Sequence, residues 1–317
     1  MALASWLASS APDAAIEIAP DAVAVAVLGA RGGDAVVQSY ATAPVPAGAV
    51  VAGLGGRNVV DRAAVTAALQ SACERAGHRP RRAVLAIPDL AARVTLVRFE
   101  QLPARREDLD QLIRWQVRKS LPFPIEEACV THSPGVRSGS GGEFITVAAR
   151  RETVREYEAV CDDAGIHAGI VDLSTLCVVN LYQAAAAAGD TLVVHVRPEY
   201  TSIAILRRGD LIFFRTRPEG EEESLPDVVH QTAMYYQDRL AGEGFARVFA
   251  GGATRVPGGV ELARGDLASR LDHAVEPLDP ALAATLGERV TVAGEARAGL
   301  APLVGLLLRA RKGAAAA

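Results

Sequence analysis

The stretch Ala14-Ala15-Ile16-Glu17-Ile18-Ala19-Pro20-Asp21-Ala22-Val23-Ala24-Val25-Ala26-Val27-Leu28 decides the fold. Small and apolar residues alternate on both sides of a turn at 19–21, the pattern of two paired strands. A third strand, 35–40, follows Gly32 and Gly33 and completes a β-meander. A helix comes next over 61–76, with Asp61 placed to cap its start and Gly77 to stop it. The second half repeats this plan. Strands at 192–196, 202–206 and 211–215, the last two joined by the Gly209-Asp210 turn, precede a helix at 225–240.

A β-meander followed by helices, built twice, resembles the plan of actin-like proteins, whose two lobes face each other across a nucleotide cleft. The fold expected is therefore α/β, an actin-like, ribonuclease H-like duplication with an α/β subdomain inserted in the first lobe. The first lobe is expected over 11–190, with the insertion at about 100–165, and the second over 191–312.

The block between the repeats differs in character. Residues 83–87 form an apolar strand ended by Pro88, and 93–99 alternate as another. A helix over 106–119 puts Leu109, Leu112, Ile113 and Val117 on one face. Leu121-Pro122-Phe123-Pro124 must end it, because proline cannot continue a helix and holds its predecessor extended. Strands at 127–133 and 143–149 flank a Gly- and Ser-rich loop, 134–142, that reads as a tip. A helix at 153–164 closes at Gly165. A strand at 166–171 then leads to a helix capped by Asp172, and the alanine run 184–188 ends that helix at Gly189.

Composition excludes several functions. The 317 residues are 50% hydrophobic and 22% charged, enough apolar surface for a large core divided between two lobes. A net charge of −4 with no basic stripe argues against nucleic acid. Cys73, Cys129, Cys161 and Cys177 are widely spaced, which supports neither zinc nor a disulfide framework. No apolar run reaches the roughly 20 residues of a spanning helix, and no signal peptide is evident, so a cytoplasmic chain is expected. Trp6 lies in a short apolar start, 1–7, that reads as a frayed end rather than a membrane anchor.

The segments Val84-Leu85-Ala86-Ile87-Pro88, Leu102-Pro103 and Leu109 through Trp115, followed by Lys119-Ser120-Leu121-Pro122-Phe123-Pro124-Ile125-Glu126-Glu127, resemble the insertion of the PilM family of type IV pilus assembly proteins. Val147-Ala148-Ala149, Tyr235-Tyr236, Gly251-Gly252 and the closing segment from Ala301 to Arg309 extend the likeness along nearly the whole chain. The resemblance implies an FtsA-like fold and a relation to the cytoplasmic domain of GspL. It also implies a cytoplasmic scaffold at the inner membrane that forms a ring, binds the N-terminal tail of PilN and links it to the motor ATPases. The tail is implied to lie in the groove between the first lobe and the insertion. Leu121, Phe123 and Ile125 match the motif near that groove. Trp115, off the apolar stripe of its helix, is a partner anchor or packs on the first lobe.

The resemblance also implies two phosphate loops, and here both are altered. An actin-like ATPase holds phosphates on turns whose successive N–H groups form an anion nest, beside a carboxylate that organises Mg²⁺. The first loop reads Ile16-Glu17-Ile18-Ala19-Pro20-Asp21. Glu17 keeps the charge, Ala19 stands where glycine is expected, and Pro20 removes a donor. The second reads His195-Val196-Arg197-Pro198-Glu199-Tyr200-Thr201; only Thr201 fits without change. Arg197 and Glu199 are then solvated surface, or Arg197 replaces the cation and grips a phosphate. Gly251-Gly252-Ala253 keeps the adenosine-loop pattern, which is equally a plain turn. Glu17, Thr201, Gly251, Gly252 and Ala253 are thus the candidate residues for ATP with magnesium.

No catalytic residue is assigned. His195 has no nucleophile or acid partner by spacing and reads as a core or surface histidine. The acidic run 219–223 reads as a solvated loop. A pseudo-ATPase scaffold is expected first. A nucleotide-gated actin-like ATPase is the alternative, and a sugar or acetate kinase relative is disfavoured by both loops.

Overall fold

The computed structural model describes residues 12–31, 34–183, 189–220, 224–255, 258–288, 290, 292 and 294–316. The readings made above for 1–7, 184–188 and 221–223 lie outside them.

The first meander is β1 (Ala14–Ile18), β2 (Ala22–Arg31) and β3 (Asp34–Pro44), followed by α1 (Arg62–Ala76) and β4 (Arg82–Ile87). Asp61 caps α1 by accepting the Ala64 N–H at 3.0 Å, and Gly77 ends it. The insertion follows as β5 (Ala92–Phe99), α2 (Arg106–Val117), β6 (Ala128–Ser138) and β7 (Gly141–Arg150). The chain then makes α3 (Arg151–Asp163), β8 (His167–Leu173) and α4 (Ser174–Tyr182). The second meander is β9 (Thr191–Val196), β10 (Tyr200–Arg207) and β11 (Asp210–Pro218), followed by α5 (Leu225–Leu240) and β12 (Arg247–Gly252). The last elements are α6 (Gly259–Leu271), β13 (Val275–Pro277), β14 (Thr285–Leu286), α7 (Gly294–Gly299) and α8 (Ala301–Ala316).

Among the described residues the strands form three sheets, ordered β14-β3-β2-β1-β4-β8, β11-β10-β9-β12-β13 and β5-β7-β6. In both large sheets the first strand of the meander lies parallel to a later strand, β1 to β4 and β9 to β12. The strand period of two sorts their residues into layers. In β1, Ala14, Ile16 and Ile18 join the core under α1 and α3, while Ala15 faces α4 and α8. In β9, Leu192, Val194 and Val196 join the cluster with α5 and α6, while Val193 faces α4 and α8. The helices α4 and α8 therefore share one core with the inner faces of both sheets.

Several boundaries differ from expectation. The insertion sheet begins at β5, before residue 100, because Ala92 to Phe99 pair with β7. The expected second lobe does not keep its C-terminal part to itself. β14 pairs with β3, and α8 packs on α4 and against β1, β2 and β4. The loop 134–142 is a hairpin, since β6 and β7 continue through it with a bulge between Pro134 and Arg137; Val136 packs against the second-lobe core. Asp172 does not cap α4: it accepts the N–H of Leu173 and pairs with Arg309.

Helix α8 crosses α4 at Gly305, where an added Cβ would lie 1.9 Å from the Cys177 carbonyl oxygen. Gly305→Ala must push the two helices apart and should destabilise the protein by about 1–3 kcal/mol in urea denaturation, as overpacking does.

Candidate functional site

Strand alternation sends Glu17 to the same face as Ala15, and His195 and Ser202 to the same faces as Val193 and Ala204. All three point to the start of α4, where the two sheets meet. Ser174 Oγ donates to Glu17 Oε1 at 2.5 Å, and Thr175 Oγ1 lies 2.8 Å from His195 Nδ1. Asp89, just after β4, accepts the Thr175 N–H at 3.0 Å and the Ser202 hydroxyl at 2.5 Å. Asp89 thus does for α4 what Asp172 was expected to do, and it ties the first sheet to β10.

Arg197 enters this seam from the turn between β9 and β10. Its Nη1 lies 3.7 Å from Glu17 Oε2 and its Nη2 3.5 Å from Asp21 Oδ1. The side chain is only 7% exposed, so Arg197 is not solvated surface as first read. Burial alone would lower its pKa, but Glu17 and Asp21 outweigh that and hold it firmly charged. Glu199 is partly buried, and Arg255 Nη2 approaches it at 3.8 Å.

The turn donors are also committed. The Ala19 N–H bonds the Ala22 carbonyl at 3.0 Å, and the Arg197 N–H bonds the Tyr200 carbonyl at 2.8 Å. With Pro20 and Pro198 lacking N–H groups, neither turn presents a row of free donors for a triphosphate. Glu17 already faces a cation, a guanidinium in the role Mg²⁺ would fill. The residues present do not fit magnesium-bound phosphates.

His195 is a buried core residue, as one of its two readings held. Burial, helped by Arg197, lowers its pKa to about 3 and keeps it neutral. Asp89 is displaced the other way, to about 6, chiefly by burial and against its hydrogen bonds. Among the described residues no group of three or more His, Cys, Asp or Glu is placed to hold a metal.

Of the five ATP candidates, Thr201, Gly252 and Ala253 gather around Val196, and Gly251 pairs with His195 on the neighbouring strand. Glu17 is in the seam, and Thr201 is buried on β10 opposite Val196. Gly252, at φ +127°, is required because a Cβ there would lie 1.9 Å from the Val196 carbonyl oxygen. The Ala253 N–H bonds that same carbonyl at 2.9 Å. Gly251 lines a separate cavity of about 320 Å³ with Glu261, Arg264 and Arg297; neither Glu17 nor Thr201 borders it.

A larger cavity, about 680 Å³, runs between the insertion and the first lobe. Its walls are β6 and β8, each the last strand of its sheet. Ile87, Val147, Leu173, Leu176 and Leu211 make an apolar lining, and Ile170 of β8 is 37% exposed. Trp115, Leu121, Phe123 and Ile125 do not line this groove. Trp115 is exposed on α2 with the Lys119 ammonium 4.7 Å from its ring centroid. Leu121 packs on the small core of the insertion, and Phe123 and Ile125 are half-buried. The edge pair β6 and β8 was missed because edge status belongs to the assembled sheet; the alternation of 166–171 was the available signal.

Two sheets of matched meander order, sharing helices and meeting at a polar seam, define an actin-like protein. The chain belongs to the type IV pilus assembly protein PilM family, whose sequence model matches residues 15–239. A solved PilM–PilN type IV pilus biogenesis complex is similar at TM-score 0.81 and 18% identity, over 96% of this chain and 99% of that one. The cytoplasmic domain of EpsL, an inner-membrane component of the Vibrio cholerae type II secretion system, matches at TM-score 0.50 and 11% identity, over 95% and 94%. A Bacteroides thetaiotaomicron protein with an actin-like ATPase fold matches at TM-score 0.50 and 11% identity, over 84% and 91%.

Two outcomes check the seam. Arg197→Met leaves Glu17 buried without its cation and should cost about 3–5 kcal/mol, most of it recovered in Glu17→Gln/Arg197→Met, as read by urea denaturation. Asp89 binds a proton on folding, since its pKa rises from 3.8 to about 6. It therefore favours the fold at low pH, and that contribution is lost as pH rises through about 6. The stability of the wild type relative to Asp89→Asn should fall between about pH 4 and pH 7.

Proposed function

We propose that this protein is a non-catalytic scaffold of type IV pilus assembly that binds the N-terminal tail of a PilN-like membrane protein in the groove between β6 and β8. The observation that carries the reading is that groove: two edge strands face each other across a cavity whose lining mixes apolar side chains with polar ones. An edge strand offers unpaired N–H and C=O groups, so an extended peptide adds to it as a further strand while its alternate side chains enter the apolar lining. The likeness to the PilM–PilN complex supports a tail of this kind as the occupant.

No helix among the described residues is long and apolar enough to cross a membrane. The same reading places the chain on the cytoplasmic side and gives its remaining surfaces to the motor ATPases and to further copies of itself in a ring. The filled seam supports a pseudo-ATPase, with Arg197 joining the lobes where other actin-like proteins use nucleotide and metal.

One observation favours a second reading, a nucleotide-gated ATPase. The cavity beside Gly251 is open, and the buried Arg264 Nε lining it has no hydrogen-bond partner. That reading requires a phosphate path from this cavity to Glu17.

Fluorescence anisotropy with the labelled tail of the cognate PilN-like protein tests the groove. Ile170→Asp, which sets a charge at the edge of β8, should weaken binding at least tenfold, roughly the 1.4 kcal/mol expected for spoiling one apolar contact. Leu262→Asp, at a site 69% exposed and outside the groove, should leave binding unchanged. Equal weakening by both, or by neither, would count against the groove.

A further inference from the structure

The groove does not end at β6. A second cavity of about 440 Å³ lies between α2 and β6, lined by Arg106, Asp110, Ile113, Arg114, Val130, Thr131 and His132. Thr131 and His132 line both cavities, so the two adjoin along the same edge strand. The two open on opposite faces of the insertion sheet, the first beside Cys129, Thr131 and Ser133 and the second beside Val130 and His132, so a peptide strand paired with β6 sends alternate side chains toward each.

The second cavity differs in chemistry from the first. Its one carboxylate, Asp110, is already engaged by His132 Nε2 at 2.7 Å. Arg114 uses one N–H on the Ile125 carbonyl at 3.0 Å and keeps the rest of its fork. Arg106 lines the mouth of the cavity as an exposed side chain. His132 Nδ1 is buried and without a hydrogen-bond partner. Two guanidinium groups share this cavity with one carboxylate, which leaves positive charge and N–H donors in excess along its lining. Carboxylate is the group that two such forks match best.

We propose that Arg106 and Arg114 form a second subsite of the groove, selective for an acidic side chain of the same peptide tail that binds between β6 and β8. The inference rests on the groove reading and adds to it the chemistry of one tail residue. It also gives the Leu121 to Glu127 turn a role. The turn does not line the apolar groove. The Ile125 carbonyl fixes the Arg114 fork, while Leu121 packs the turn onto the core of the insertion. Ile125 is thus a positioning residue, acting through its backbone.

The test is an anisotropy titration of the full chain with two versions of the cognate PilN-like tail. One is native, and in the other every Asp and Glu is replaced by Asn or Gln. The wild type should bind the neutralised tail at least tenfold more weakly, the loss expected for a charge-assisted hydrogen-bonded pair. The Arg106→Gln/Arg114→Gln variant should bind the native tail at least tenfold more weakly and should no longer distinguish the two. Gln116→Ala, at an exposed position of the same helix that lines neither cavity, should behave as wild type and controls for damage to α2. Equal affinity of the wild type for both tails, or a tail without acidic residues, overturns the subsite. If Ile170→Asp still weakens binding in that case, the groove reading stands alone. Failure of the wild type to bind either tail overturns both.

Discussion

Arg197 sits in the seam between the two large sheets with its guanidinium facing Glu17 and Asp21, and the relation of the lobes depends on that contact. A buried cation is costly unless carboxylates surround it, and these carboxylates come from the opposite sheet. Opening the seam would expose Glu17 and Arg197 to each other's loss at once. In an actin-like fold the same position is where a metal and phosphates would join the lobes. On the proposed pseudo-ATPase reading, a covalently tethered guanidinium does that joining, and turns carrying Pro20 and Pro198 need present no row of free N–H groups.

Helix α4 carries the seam to the groove. Its first residues, Ser174 and Thr175, are held by Glu17, His195 and Asp89, and its later residues Leu176, Val179 and Asn180 line the cavity between β6 and β8. The β10–β11 turn adds Gly209, Asp210 and Leu211 to the same cavity. The groove is therefore built from the first lobe, the insertion and the edge of the second lobe together.

Much of this was legible in the sequence because it rests on local rules. Alternation gave both meanders, Asp61 and Gly77 bounded α1, and the prolines marked turns that lack donors. Alternation also puts Glu17 and His195 on corresponding inner faces. What escaped were partnerships between distant residues. Asp89 is 86 positions from Thr175 and 113 from Ser202, so no window of sequence connects them. Arg197 read as surface because a charged residue beside a proline in a turn usually is, and its carboxylates lie on the other sheet. The hairpin through 134–142 read as a loop because Gly and Ser weaken strand propensity; Val136 anchors it on the second lobe. Trp115, Leu121, Phe123 and Ile125 lie outside the cavity walled by β8 and β6, whose edge positions only the assembled sheets define.

The most direct measurement is calorimetric titration of the cognate PilN-like tail into the protein with and without saturating ATP and Mg²⁺, paired with a thermal melt under both conditions. A seam already filled by Arg197 predicts one tail affinity in both titrations and no change in melting temperature. A nucleotide bound at about 100 times its dissociation constant would add roughly 2.7 kcal/mol of stability. A rise in melting temperature of that size, together with altered tail affinity, would contradict the filled seam and show that ATP reaches the cleft.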